Sequence, residues 1–442
     1  MVNPTLTETS GVKEPAVVVH RVIERPVTWR RRVGIGAVLI LVGLVCALGL
    51  GLGSKAGFPA TFGLAEGGEY IPPPNLVLPA RLVGLVLGGV VVVLGLVELV
   101  RPFRRVALRW VVAVTIICFV VAFMSWSTTG MKGTSIDLLG LLQQTIFLAI
   151  PLILGALAGV MCERSGVINI AIEGQMLAGA WAGALFGSVT HNLYLGVVAA
   201  LVAGAAMGWL LAVFSIRYLV NQVVLGVVLN VLALGLTGFL YDALMQPNTA
   251  TLNSPAVFQD VPVPLLSRIP IVGPLFFDQT VIVYITYVLI VVIDVALFRT
   301  RWGLRTRAVG EHPRAADTVG INVLRVRYRN VMLGGAVAGL AGAALTIGAI
   351  GAFSKDISSG KGFIALAAVI FGRWSPRGAI AAALLFGFAS ALQTVLAFIN
   401  PPVTIPSNFL AMLPYLVTLF AVAGLVGKVR APAADGEPYV KG

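Results

Sequence analysis

The chain has 442 residues, of which 58% are hydrophobic and only 11% are charged. A soluble protein carries roughly a quarter of its residues charged, so this chain has too few charges to cover a water-facing surface. Several apolar runs reach or approach the roughly 18 residues that span a bilayer as a helix. The composition therefore predicts an all-α polytopic membrane protein.

The formal net charge of +13 has two interpretations. In a soluble protein it would suggest nucleic-acid binding. Here the arginines cluster in short loops beside the ends of apolar segments, as the positive-inside rule predicts, so we expect no nucleic-acid partner. The three cysteines and three histidines form no metal-ligand spacing, and we expect neither a metal nor a cofactor in this chain.

Twelve apolar segments are predicted in chain order. They cover about 33–53, 82–100, 110–126, 138–161, 167–188, 193–214, 222–244, 281–298, 331–351, 361–372, 378–398 and 408–427. Segment 361–372 is too short to cross a bilayer at 1.5 Å per residue, so it is either half of a broken helix with 378–398 or extends outward. Segment 167–188 begins with the polar stretch SGVINIAIEG, and irregular backbone within a membrane needs protein or a water-filled cavity around it. Both segments are candidates for pore-lining elements.

The distribution of arginine sets the orientation. Basic clusters at 30–32, 101–109 and 299–329 all fall on one side of the predicted spans, and the alternate loops hold few cations. The positive-inside rule places the basic side in the cytoplasm. We therefore expect a multi-pass protein of the cell membrane with both termini cytoplasmic, residues 1–32 forming a disordered cytoplasmic tail.

Two stretches share a layout. GALAGVMCERSGVINIAIEGQ and GGAVAGLAGAALTIGAIGAFSKDISSGKGFIALAA each contain a small-residue helix, a polar Ser-Gly turn and a second apolar helix. The predicted orientation puts the first turn inside and the second outside, as in an inverted-topology repeat, which is common in transporters. Chance compositional similarity is the alternative.

Polar residues within the apolar segments are the candidates for a solute path. A charged side chain at mid-helix costs about 2.5–3.5 kcal/mol on insertion scales, which makes Glu173 informative. It either lines the path or caps a broken helix by accepting hydrogen bonds from free backbone N–H groups. The path candidates are Gln143, Asn169, Glu173, Gln175 and Asn230.

A basic island, residues 299–330, interrupts the apolar segments with eight arginines. Pro313 suits the first position of a short helix and Gly320 suits its stop. A proline-started helix in a basic cytoplasmic loop is predicted to be presented to a partner. An ordinary positive-inside loop is the plainer alternative.

Catalytic signatures are missing from the sequence. It contains no G-x-x-x-x-G-K-[ST] phosphate loop, no G-x-S-x-G nucleophile elbow and no H-E-x-x-H metal motif. We therefore expect a protein that is not an enzyme and has no ATPase site of its own.

Four ordered motifs carry a family resemblance. They are SGVINIAIEGQMLAGAW, NQVVLGVVLNVLALGLTGFL, TRWGLRTRAVGEHPRAADTVGINVLRVRY and GKGFIALAAVIFGRWSPRGAIAAALLFG. Together they resemble the permease subunits of ABC importers for nucleosides and simple sugars, in the wider group of ribose and branched-chain amino acid permeases. The resemblance implies a type II ABC importer-like helical bundle with about 10–12 transmembrane segments.

It also implies an organisation. Residues 33–109 would be an extra N-terminal transmembrane pair with loops, 110–427 the permease core with its coupling loop at 299–330, and 428–442 a second cytoplasmic tail. The implied partners are cytoplasmic ATPase subunits that bind the ATP, a second permease in a homo- or heterodimer, an extracytoplasmic substrate-binding lipoprotein and a small-molecule solute.

The resemblance places the coupling helix within 303–322, where a short helix would enter a groove of the ATPase. Ala315, Ala316 and Val319 are expected to supply apolar contacts inside a rim of charged side chains. The expected coupling residues are Arg307, Gly310, Glu311, Pro313, Arg314, Ala315, Ala316, Asp317 and Gly320.

The predicted function is that of a transmembrane permease of an ATP-driven importer for nucleosides or a sugar-like solute. A stand-alone secondary transporter is one alternative, although Glu173 is its sole candidate for an ion-coupling carboxylate. A non-catalytic membrane scaffold is another. The proline-rich loop 245–280 would either dock an extracytoplasmic partner or form a stiff cap over the helices.

Overall fold

The computed structural model describes residues 29–55, 57–64, 73–130, 135–399, 401–403, 406–420 and 430–441. The predicted N-terminal tail falls outside the described residues up to position 28, and so does the predicted last segment beyond position 420. The first helix begins at Trp29, inside the region expected to be a tail.

Sixteen α-helices follow one another in the described residues. They are α1 Trp29–Leu44, α2 Ala80–Val100, α3 Arg105–Ser127, α4 Leu138–Glu163, α5 Ile172–Thr190, α6 Leu193–Ala212, α7 Gln222–Leu240, α8 Thr249–Leu252, α9 Val281–Arg299, α10 Arg301–Glu311, α11 Pro313–Thr318, α12 Val323–Leu345, α13 Lys361–Phe371, α14 Pro376–Phe398, α15 Ser407–Ala411 and α16 Leu413–Phe420. Short π-helical turns extend α1 to Gly51, α6 to Arg217, α7 to Met245 and α12 to Ile350.

Each of the first eleven predicted apolar segments overlaps one helix, the described part of the twelfth overlaps α15 and α16, and the all-α polytopic class is confirmed. Nine of the described helices are long and apolar enough to cross a membrane. The resemblance implied ten to twelve. Among the described residues, α5 begins with a polar turn and α13 has only 11 residues, and the last predicted segment is described only up to position 420.

Two small sheets were not predicted. Strand β1 (Pro59–Gly63) pairs antiparallel with β2 (Leu76–Pro79) and parallel with β3 (Ser135–Asp137). Strands β4 (Asp260–Pro262) and β5 (Asp278–Thr280) pair antiparallel in the loop that precedes α9. Because β3 ends at Asp137, the first sheet connects the extra N-terminal pair to the start of α4. Asp137 also caps α4, since its carboxylate accepts a hydrogen bond from the Gly140 amide at 2.9 Å.

The core is centred on α4 and α12. Most side chains of both helices are buried, and they contact α5, α6, α13 and α14. The α6–α12 contact is close enough that a Cβ on Gly335 or Gly339 would collide with the carbonyl oxygens of Gly204 or Ala200. The glycines spaced four apart therefore serve close helix packing, as small residues do in lipid.

Helix directions reveal an inverted repeat. α13 runs parallel to α4, because Gly155 faces Ala365 and Gly159 faces Val369. α5 runs parallel to α12, with residues 179, 183 and 187 facing 339, 343 and 347. The α4–α5 and α12–α13 units thus share one layout, with each second helix paired to the first helix of the other unit. Since α4 and α12 run in opposite directions, α5 and α13 do too, which agrees with the predicted inverted topology.

The extra N-terminal pair lies at the periphery. α1 and α2 approach through glycines, since a Cβ on Gly88 would lie 2.5 Å from the Ala47 amide nitrogen. Cys46 and Leu50 pack against Ala122 and Trp126 of α3. Most of α2 remains outside the protein interior.

The loop between α7 and α9 packs on the helices beneath it. Asn253 and Phe353 exchange two hydrogen bonds, at 2.7 and 2.9 Å. The Phe258 amide donates to the Ile347 carbonyl at 3.0 Å, and the Phe258 ring is buried. These contacts agree with the cap interpretation of the loop.

Candidate functional site

The N-termini of α5 and α13 meet in the interior of the bundle at Glu173. One carboxylate oxygen accepts hydrogen bonds from the Ser358 hydroxyl at 2.5 Å and the Gly360 amide at 2.8 Å. The other oxygen accepts from the Gly362 amide at 2.5 Å. A helix start leaves backbone N–H groups without partners, and this carboxylate satisfies them for α13. The capping interpretation of Glu173 thus describes its contacts, although the capped helix is α13 rather than its own.

Side chains of α7 hold the backbone that leads into α5. The Asn230 oxygen accepts from the Gly174 amide at 2.8 Å, and its nitrogen donates to the Ile170 carbonyl at 2.9 Å. Gln222 accepts from the Ile168 amide at 2.7 Å. These side chains therefore pair backbone groups of the irregular stretch 164–171 and of the start of α5, which burial within a membrane protein makes costly to leave unpaired.

Asn169 and Gln175 complete this buried cluster. Both are fully buried, and Asn169 donates to the Gln175 side-chain oxygen at 3.0 Å. We name the four residues Asn169, Glu173, Gln175 and Asn230 the junction cluster. Gln143 lies apart from it, near the loop before α9, where its nitrogen is 3.4 Å from the Pro274 carbonyl oxygen. The sequence candidates for a solute path thus divide into one interior cluster and one distant residue.

The basic island folds as α10 and α11 at one end of the bundle, which we call the basic end. Thr300 caps α10 by accepting from the Gly303 amide at 3.3 Å. α11 starts at Pro313, and Gly320 adopts a φ of +83° just beyond it, so the predicted short helix is confirmed. Asn322 then caps α12 by accepting from the Arg325 amide at 2.9 Å.

α10 rests directly on the turn that joins α4 to α5. A Cβ on Gly310 would collide with the Arg164 carbonyl oxygen. The Arg164 and Arg307 guanidinium groups lie 5.7 and 5.0 Å from the Phe298 ring, within cation–π range. Burial lowers the pKa of Arg164, with Arg307 acting in the same direction and Glu311 opposing it. The Arg164 guanidinium also donates to the Trp374 carbonyl at 2.7 Å, which connects the end of α13 to the same turn.

Exposure separates the expected coupling residues into two sets. Ala315 and Arg314 are exposed, and Val319 is 74% exposed. Ala316 is only 4% exposed and packs inward on Val309, Val323 and Val326. The expectation that Ala316 contacts a partner is therefore wrong for this conformation, because its side of the short α11 helix is the side that faces the protein core.

Comparison with known proteins decides the family. A family model described as "Branched-chain amino acid transport system / permease component" matches residues 141–422. This chain belongs to that permease family. The match begins within α4 and extends past α16, so it covers both repeats and the basic island of the permease.

Three individual relatives show which kinds of transporter this chain is similar to. The permease is 42% identical over 313 residues to the guanosine ABC transporter permease protein NupQ of Bacillus subtilis, covering 67% of this chain and 95% of the relative. It is 39% identical over 298 residues to the nucleoside ABC transporter permease protein NupC of Lactococcus lactis, covering 66% and 93%. It is also 36% identical over 258 residues to the putative glucose ABC transporter permease protein TsgC13 of Haloferax volcanii, covering 58% and 77%. No solved structure matches the permease.

Sequence reasoning missed two groups of residues around these sites. Gln222, Ser358 and Gly362 complete the junction, but their role depends on partners more than fifty residues away. The second group is residues 430–441, which we call the docked segment because they lie against α10 and the α4–α5 turn. The Asn-Gln pair at the start of α7 was the available signal for Gln222, since Asn221 caps that helix.

Proposed function

We propose that this permease is the membrane-spanning subunit of an ATP-driven importer for nucleosides or a sugar-like solute. The observation that carries the proposal is α11, a proline-started helix exposed at the basic end of a chain that is 42% identical to a guanosine ABC permease. ATP-driven closure of cytoplasmic ATPase subunits would displace α11, and two permease subunits would move between outward- and inward-open states. The basic end is then the cytoplasmic end.

The surface offered to the ATPase is the outer side of α11 and its flanks. Arg314, Ala315 and Val319 are exposed there, while Pro313 and Gly320 set the ends of the helix. Glu311 and Gly310 support this surface from behind, since both bond the docked segment. An exposed apolar tip with a charged rim is the pattern of a helix that enters a groove.

The junction cluster lies where two helices, α5 and α13, start in the interior of the bundle. The positive ends of helix dipoles stabilise polar groups near them, and broken helices form the solute sites of many transporters. We infer that the path runs along the interface between this permease and a second permease subunit, close to α5 and α13. An extracytoplasmic binding lipoprotein would deliver the solute at the end opposite α11.

Vesicle transport tests the proposal. The permease, co-expressed with its ATPase and binding-protein subunits and reconstituted with ATP on the ATPase side, should accumulate radiolabelled guanosine and release it only slowly. Glucose is the parallel probe for a sugar importer. Uptake that is unchanged with a non-hydrolysable ATP analogue would refute an ATP-driven mechanism and favour a stand-alone transporter.

A matched pair of variants tests the docking surface. Val319→Asp places a charge at the tip of α11, whereas Leu265→Asp places one at an 80% exposed position in the loop before α9. The ATPase should co-purify with the Leu265 variant and be lost from the Val319 variant. Equal recovery of the ATPase from both would count against the assignment of α11.

A further inference from the structure

The docked segment lies in a groove at the basic end. On one side it bonds α10: the Ala434 amide donates to the Gly310 carbonyl at 2.9 Å, and the Ala433 amide donates to the Glu311 carboxylate at 3.2 Å. Gly310 and Glu311 are the last two residues of α10, and His312 alone separates them from the start of α11. The segment is thus attached immediately behind the helix proposed to meet the ATPase.

On its other side the same segment meets the polar turn 164–171. Gly436 has a φ of +78°, and a Cβ there would lie 2.6 Å from the Ile168 Cδ1 atom. A Cβ on Gly166 would lie 3.0 Å from the Ala434 carbonyl oxygen. Arg327 closes the groove by donating to the Glu437 carbonyl at 2.8 Å. The turn continues directly into Glu173 and the junction cluster.

The far end of the segment is an aromatic anchor under α11. Tyr439 is buried and packs in one apolar cluster with Ala316, Val309, Val323 and Val326. Its neighbours Glu437, Pro438 and Val440 are exposed. Burying one large side chain of a surface segment stabilises a single position of that segment, so the anchor fixes the segment to the inner side of α11.

Resting on the proposed function, we propose that the docked segment 430–441 is a coupling element that transmits displacement of α11 to the turn 164–171 and so to the junction cluster. It packs on α11 through Tyr439 and on the turn through Gly436, and its Ala434 amide bonds the end of α10. Contiguous packed contacts of this kind can carry coupling between two sites. The direct contact of Gly310 with Arg164 is a second, parallel connection, so the segment sets the efficiency of coupling rather than its existence.

The test compares variants of the complete importer in vesicles. Gly436→Val should displace the segment, because a β-branched side chain disfavours positive φ and would collide with Ile168. Tyr439→Ala removes the anchor, Tyr439→Phe keeps the ring, and Lys441→Ala changes an exposed position as a control. The first two should retain the ATPase and its basal ATP hydrolysis, while solute imported per ATP hydrolysed falls roughly twofold to thirtyfold. The Phe variant keeps the ring and loses only the hydroxyl that bonds Asp317, so its ratio should fall less than that of Tyr439→Ala, and the Lys441 variant should behave as wild type.

Two outcomes would overturn the proposal. One is a wild-type ratio of import to hydrolysis in Tyr439→Ala, which also decides the matter if Gly436→Val does not fold. The other is loss of the ATPase from the Tyr439→Ala variant, which would make the segment part of the docking surface. Failure of the proposed function is distinct, because the wild-type complex itself would then show no ATP-dependent import.

Discussion

At the scale of single residues, Glu173 joins the two repeats. Its carboxylate bonds three donors at the start of α13 while its own backbone belongs to α5. A buried carboxylate is tolerated when donors satisfy its oxygens. The carboxylate therefore supplies the hydrogen-bond acceptors that the carbonyl groups of a preceding helical turn would have offered to the start of α13.

Glu173→Gln tests this role. The amide turns one acceptor oxygen into an NH₂ donor that must face the Gly360 or Gly362 amide. An unsatisfied buried group costs about 1–3 kcal/mol, so the melting temperature of the purified permease and its transport rate should both fall. Ser358→Ala removes one donor but leaves the carboxylate intact, so it should lower the melting temperature and the transport rate by less. Wild-type melting and transport of the Gln variant would sink the structural role of Glu173.

Asp435 predicts a pH dependence of the docked segment. Burial, with the neighbouring Glu163 carboxylate, raises its pKa, while Arg327 and the Gly436 amide act against that rise. The docked state then binds a proton more tightly than the free segment, so docking is strongest below the ordinary carboxyl pKa of about 4 and weakens as the pH rises through the raised value. Hydrogen exchange of the Ala433 and Ala434 amides, corrected for intrinsic rates, should show more protection at pH 6 than at pH 8.5. Asp435→Asn should flatten that profile, and equal protection in wild type would contradict the prediction.

At the scale of elements, local signals were predictable and distant partners were not. Pro313 and Gly320, which mark the start and the end of α11, are themselves the sequence signals for that helix. The polar turn before α5 is visible because it interrupts an apolar run. β1 and β3 are separated by more than seventy residues, and their short sequences do not specify pairing. The docked segment was predicted as a tail because it is short and polar, and its anchor Tyr439 is a single aromatic with no periodic pattern around it.

The meeting of α5 with α13 can be tested by a glycine pair. Gly362→Ala would place a Cβ 2.5 Å from the Glu173 amide nitrogen, and Gly235 on α7 has no neighbour within 4 Å of such a Cβ. Overpacking a close contact costs about 1–3 kcal/mol, so Gly362→Ala should lower the melting temperature and the yield of folded permease. Gly235→Ala should match or exceed wild type. The reverse order would refute the close approach of the two helix starts.

At the scale of the whole molecule, the distribution of charge predicts the orientation of the bundle. Arg164, the arginines of α10 and those at the start of α12 gather at one end, and the strand pair β4–β5 lies in the loop at the other. The positive-inside rule assigns the basic end to the cytoplasm. The nine described spans alone do not decide this, because the length and mean hydropathy of a span carry no direction.

Cysteine labelling measures the orientation directly. Cys46, Cys118 and Cys162 are buried, and replacing them provides a background for Val319→Cys and Leu265→Cys, which occupy exposed positions at opposite ends. A membrane-impermeant maleimide should label Leu265→Cys in intact cells and Val319→Cys only after permeabilisation. The opposite pattern would invert the topology and remove α11 from the reach of a cytoplasmic ATPase.

The bond between Glu173 and Ser358 also has a consequence for biosynthesis. The two residues are 185 positions apart, and a ribosome adds about 5–20 residues per second. The first repeat therefore enters the membrane roughly 10–40 s before its carboxylate can find the α13 amides. During that interval the nascent chain carries an acid in the first repeat without the donors that satisfy it in the folded protein.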